Sequence, residues 1–154
     1  MQAEERASLR GVLTSDHARL DQLFQDLVGA LRADAREDAA RLWGRFDSEL
    51  SAHMDLEERL ILPAFFEENA AEANSLLEEH AQIRRLLTEL GLGLDLHLTR
   101  AEVVEDFVER LRRHARREDE LMYAWAERGV PEESQSLIRQ QLAKMARPRA
   151  ARSR

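Results

Sequence analysis

Apolar positions recur at helical period along most of this chain. Leu20, Leu23, Phe24, Leu27, Val28 and Leu31 form one stripe, and Leu42, Trp43, Phe46, Leu50, Leu56 and Leu60 form another. Punctuating residues divide the pattern. Thr14 reads as the N-cap of a first bundle helix that runs to about Leu31. Asp34 with Glu37 forms a capping pair for the second, which Pro63 should kink or end. Ser75 with Glu78 is a capping box for the third, ending near Gly91. Residues 91–98 read as a connection. Thr99 with Glu102 caps the fourth helix, which runs to about Arg128 with Gly129 as its stop. Pro131 then opens a shorter fifth helix carrying Leu137, Ile138, Leu142 and Met145. The polar residues 1–11 read as a short or frayed helix, and the basic residues 147–154 as a disordered tail.

Two of these helices carry the same chemical spacing. His53-x-x-x-Glu57 recurs as His114-x-x-x-Glu118. Positions i and i+4 lie one above the other on a helix, so an imidazole nitrogen and a carboxylate can reach one point beside it. Alone this spacing is a weak signal. A second repeat strengthens it: Asp16-His17-Ala18 resembles Glu79-His80-Ala81, and the gap from His17 to His53 nearly equals that from His80 to His114. Each half of the chain reads as two helices. The whole therefore predicts an all-α, up-down-up-down four-helix bundle over residues 1–130, followed by a short extra C-terminal helix and tail over 131–154.

His17 and His80 lie near the starts of their helices, and His53 and His114 near the ends of theirs. In an antiparallel bundle all four meet at one level. With Glu57 and Glu118 they make a six-residue metal site in which the two carboxylates bridge two ions. Imidazole with shared carboxylate suits iron, with manganese or zinc as substitutes, and one coordination position per ion should stay open.

Composition narrows the function. The 154 residues suffice for a core and contain no cysteine, which excludes disulfides, thiolate-held clusters and a cysteine nucleophile. The formal net charge of −7 argues against general nucleic-acid binding. No apolar run reaches the length of a membrane span, and the charged start Met1-Gln2-Ala3-Glu4-Glu5-Arg6 is unlike a signal peptide. The expected compartment is the cytoplasm.

Neighbouring layers can be read from the same register. Asp21, Glu49, Arg84 and Arg110 lie one turn from the four histidines and suggest a buried ion-pair layer. Asp21 is also an alternative ligand through His17-x-x-x-Asp21. Phe24, Phe46, Leu87 and Phe107 should form core behind that layer. Leu13, Leu60, Ile61, Leu76, Leu121 and Met122 should cover the other end. Tyr123 falls nine residues after His114, about half a turn off the metal-facing stripe, and reads as core or rim. Trp43 and Trp125 read as core, and His97 as an exposed residue of the connection.

The motif of Asp/Glu-His followed by His-x-x-x-Glu, occurring twice, resembles the hemerythrin-like, or HHE cation-binding, family over about residues 12–129. The resemblance implies a four-helix bundle around two non-haem iron ions with an oxo or hydroxo bridge. His17, His53, His80 and His114 would be terminal ligands, and Glu57 and Glu118 the bridges. Oxygen-carrying members add a fifth histidine where this chain has Arg84, and use an Asp at the place of Asp119. The four-His, two-Glu set is similar instead to bacterial members tied to nitric oxide stress and to small actinobacterial-type members. The expected ligand is a diatomic molecule, oxygen or nitric oxide, bound for sensing, storage or stress protection by a monomer or homodimer. The alternatives are an enzyme handling nitric oxide or peroxide, and an iron-responsive interaction module.

Overall fold

In a computed structural model, residues 7–95 and 100–146 are described. All regular structure among them is helical. Helices α1 (Leu9–Arg32), α2 (Arg36–Leu60), α4 (Ala70–Asp95) and α5 (Ala101–Arg117) make the four-helix bundle. In it α1 packs on α2 and α5, and α4 packs on the same two. The chain breaks at Ile61, and the short α3 (Leu62–Glu68), with Pro63 in its first turn, packs on α4. A π-helical turn, Glu118–Tyr123, continues α5 directly into α6 (Ala124–Gly129). Finally α7 (Glu132–Ala146) lies against α1 and α2.

Several helix boundaries differ from those expected. Helix α1 starts before Thr14: Ser8 is its N-cap and its side chain accepts from the Gly11 amide. The Thr14 hydroxyl donates instead to the carbonyl oxygens of Arg10 and Gly11. The expected Asp34–Glu37 cap is not made. Asp34 takes a left-handed φ of 54°, and α2 begins without a side-chain cap. Helix α4 begins before Ser75, with the Asn69 side chain accepting from the Glu72 amide. It also runs through Gly91 to Asp95. There the missing side chain serves packing, because a Cβ on Gly91 would stand 3.0 Å from the Trp43 indole nitrogen. The expected stop at Gly129 is present. Thr99, His97 and the basic tail lie outside the described residues.

Two apolar clusters sandwich one polar level. On one side Phe24, Phe46, Leu87 and Phe107 pack with Leu20, Leu27 and Ile83, as expected. The rings of Phe24 and Phe46 are 4.2 Å apart and those of Phe24 and Phe107 are 5.6 Å apart. Each such pair contributes about 0.5–1.5 kcal/mol beyond its buried area. On the other side Leu13, Ile61, Leu76 and Met122 pack with Leu9, Phe65, Trp125 and Ile138. Here α3 and α7 close the end of the bundle. Leu60 is half-buried against this cluster, but Leu121 is exposed, because the π turn swings it outward. Between the clusters lie all the buried imidazoles and the two most deeply buried carboxylates among the described residues.

Candidate metal centre

Each bundle helix delivers its share of the polar level. His17 comes from α1, His53 and Glu57 from α2, His80 from α4, and His114 from α5, with Glu118 opening the π turn. Potential ligand atoms of His17, His53, Glu57 and Glu118 all lie within 4.8 Å of one another, and so do those of Glu57, His80, His114 and Glu118. The two groups share both carboxylates. Glu57 Oε1 faces His53 Nε2 at 3.3 Å and His80 Nε2 at 3.5 Å. Glu118 Oε1 faces His17 Nε2 at 3.3 Å and His114 Nε2 at 3.1 Å, while its Oε2 is 3.3 Å from His80 Nε2. Two ligands each about 2.1 Å from one ion stand roughly 3.0–3.4 Å apart at octahedral to tetrahedral angles, so these separations suit metal sharing.

The donor set also fits a cation by what it lacks. Glu57 and Glu118 are fully buried, and Oε1 of each, with His114 Nε2, has no hydrogen-bond partner. Two carboxylates at one buried level repel each other unless cations lie between them. Without metal, protons play that part. Burial opposes the charged form of His53, but Glu57 and Asp16 outweigh it and hold its pKa well above the ordinary value. Burial likewise opposes charge on His80, yet Glu118 and Glu57 raise its pKa to about 10. Burial pushes the Glu118 carboxyl up, but His114, His17 and His80 hold it well below the usual range.

The acids that precede two of the histidines have a role that the sequence pattern left unassigned. Asp16 accepts from Nδ1 of His53 at 2.6 Å, and Glu79 accepts from Nδ1 of His114 at 2.6 Å. Each acid thus orients the histidine of the neighbouring helix. A hydrogen on Nδ1 leaves the Nε2 lone pair aimed at the centre. Both acids are backed by arginine. Asp16 pairs with Arg19 at 2.9 Å, and Arg19 with Glu49 at 3.0 Å. Glu79 pairs with Arg117, and Arg117 with Glu72 at 2.8 Å. The two halves of the chain repeat this arrangement as well as the ligand motif.

The expected layer of Asp21, Glu49, Arg84 and Arg110 is not formed. The acids find other arginines: Asp21 accepts from Arg112 at 2.7 Å and Glu49 pairs with Arg19. Arg84 lies outward with Glu58 and, at 2.9 Å, Asp55. Arg110 is exposed. Asp21 belongs to neither ligand group, and Asp119 pairs with Arg10.

Tyr123 overturns its expected place. Its hydroxyl donates to Glu57 Oε2 at 2.7 Å and lies 3.0 Å from His17 Nε2 and 3.1 Å from His53 Nε2. The π turn is the cause. A π turn takes one more residue than an α turn. Tyr123 therefore occupies roughly the angular place that i+8 from His114 has in a regular helix, one turn beyond Glu118. The apolar spacing of this segment carries no sign of the change. Burial and the nearby Glu57 and Glu118 carboxylates hold the phenol well above its ordinary pKa, so it remains a hydrogen donor.

The family model of the hemerythrin HHE cation binding domain matches residues 9–136. The chain belongs to this family. The matched span takes in all four bundle helices and the whole polar level, so the four-His, two-Glu motif of this hemerythrin domain is the set that the fold brings together. No curated protein and no solved structure matches the chain. The paired groups are positioned to coordinate two metal ions, as a non-haem di-iron hemerythrin site requires. No helix among the described residues is long and apolar enough to cross a membrane.

Proposed function

We propose that this hemerythrin-family chain holds two iron ions and binds oxygen or nitric oxide for sensing, storage or stress protection in the cytoplasm. The observation that carries the reading is the sharing of Glu57 and Glu118 between two pairs of histidines, with buried carboxylate oxygens left unpartnered. His17 and His53 would be terminal ligands of one ion, His80 and His114 of the other, and the two carboxylates would bridge. Bound there, the ions supply open coordination positions and a pair of redox-active centres.

The protein's own groups do the rest. Asp16 and Glu79 hold His53 and His114 with Nε2 inward, which lowers the reorganisation needed on loading. The flanking apolar clusters lower the polarity around the centre and strengthen the electrostatic contacts within it. Tyr123 makes the two positions unequal. Its hydroxyl lies beside His17 and His53, and no hydroxyl lies comparably close to His80 and His114 among the described residues. It offers a hydrogen bond to whatever occupies the first position.

That hydroxyl also favours a second reading, an enzyme that consumes nitric oxide or peroxide. Such a reaction needs a proton source at the centre, and Tyr123 is an O–H donor already within hydrogen-bond distance of Glu57. Titration of anaerobically purified, iron-loaded protein with oxygen, then nitric oxide, then peroxide, followed by optical spectrum, separates the readings. A reversible oxygen or nitric oxide band supports binding. Multiple turnovers of nitric oxide or peroxide support the enzyme. Iron that responds to none of the three contradicts both.

A further inference from the structure

Between α1 and α5 the centre opens onto a cavity of about 340 Å³. Its inner end is formed by His17, His53, Glu57, His114 and Glu118. Beyond them the walls are apolar and include Phe24, Phe46, Leu50, Ile83 and Val108. A diatomic ligand needs little of this space, since a water molecule takes about 30 Å³ of liquid and a dry cavity of about 150 Å³ already holds benzene. With two ions at the polar end, the remainder has room for roughly ten non-hydrogen atoms by the same comparison.

The rim is charged. Asp21 and Arg112 stand there and pair through contacts of 2.7 and 3.2 Å, and Arg112 also reaches Glu109 at 3.3 Å. Arg116 stands there too, exposed and with no acid partner among the described residues. The mouth of an apolar chamber therefore carries one arginine, Arg116, whose guanidinium is bonded to no acid among the described residues. That combination selects an amphiphile with an anionic head and an apolar body.

We propose that this chamber binds a short- to medium-chain monocarboxylate, its chain lying between Phe24 and Val108 and its carboxylate on Arg116 at the rim. The uncharged end of the chain then points towards His17 and Glu118. What it meets there rests on the di-iron reading, but the binding itself does not.

Burial of the chain supplies most of the affinity, at about fourfold per methylene. The exposed Arg116 pair adds about 1.4- to fivefold. The test is calorimetric titration of the full chain, as purified with its iron content measured, with butanoate, hexanoate, octanoate and 1-octanol. The expected result is one saturable octanoate site, with affinity climbing about fourfold per methylene along the series. Arg116→Gln should weaken octanoate about 1.4- to fivefold and leave 1-octanol unchanged. Leu111→Trp, which narrows the half-buried mouth, should weaken both ligands about tenfold or more with thermal unfolding unchanged. Three results would overturn the proposal: no saturable octanoate binding at millimolar concentration, no effect of Leu111→Trp in a folded protein, or octanoate binding indifferent to Arg116→Gln. In the last case, a shift in iron absorption on adding octanoate would place the carboxylate on the metals instead. Calorimetry reads binding with or without iron, so loss of the di-iron reading and loss of this one are seen separately.

Discussion

Asp16 holds Nδ1 of His53 at 2.6 Å from within the bundle, although the two residues belong to different helices. Asp16 is almost wholly buried, and burial pushes its carboxyl up, but His53 and Arg19 outweigh that and keep it ionised. A charged acceptor at this point fixes one tautomer of His53. Asp16→Asn removes the charge at nearly constant shape and frees the ring to present the wrong nitrogen. We expect metal affinity to fall by about 10- to 100-fold, the usual cost of losing such a partner. Competition with a chelator of known affinity measures it. Glu79→Gln should do the same through His114, and an unchanged affinity in both variants would remove the orienting role.

Tyr123→Phe should act differently on the two forms of the protein. In the metal-free form it strips the donor from Glu57 Oε2 inside a fully buried site. A buried acceptor left unpaired costs about 1–3 kcal/mol. With metal on the carboxylate the cost should shrink. Chemical denaturation with and without iron should therefore show the larger loss in the metal-free protein. Equal losses in both would mean that Tyr123 serves packing alone.

The centre should load metal better as pH rises. The direction follows from the raised histidines. His80 holds its proton from its ordinary 6.5 up to about 10 in the folded, metal-free state. Its contribution to metal-free stability is complete below about 6.5 and is lost as pH climbs through about 10. The depressed Glu118 contributes above its ordinary 4.5, and that contribution is lost as pH falls through its lowered value. Metal must displace the imidazolium protons, so each proton expelled should raise apparent affinity about tenfold per pH unit within this window. Manganese or zinc titrations between pH 6.5 and 8.5, with proton release recorded, test this. Affinity independent of pH would show that the imidazoles are already neutral.

The helical period of apolar residues and the doubled His-x-x-x-Glu spacing made the bundle and the six converging residues legible, because both are periodic properties of a single helix. What they could not convey lies between helices or in departures from regular geometry. The acids of Asp16-His17 and Glu79-His80 were visible as a repeat. Only the packing of α1 on α2 and of α4 on α5 shows that each serves a histidine across the interface. Asp21 and Glu49 were placed by register beside Arg84 and Arg110, but arginine is long and chose its partner by local reach: Arg112 and Arg19 arrived first. Tyr123 was misplaced by one π turn, which leaves no mark in composition. Capping signals at Thr14 and Ser75 failed because α1 and α4 gain more by continuing their buried stripes through Leu9, Leu13 and Ala73.

The central claim is that Glu57 and Glu118 are shared by two metal ions. The direct measurement is iron per chain in the purified protein and in Glu57→Ala. The account predicts close to two irons in the parent and at most one tightly held in the variant, with the optical spectrum changed. Two irons and an unaltered spectrum in Glu57→Ala, or a stably folded parent that takes up none, would contradict it.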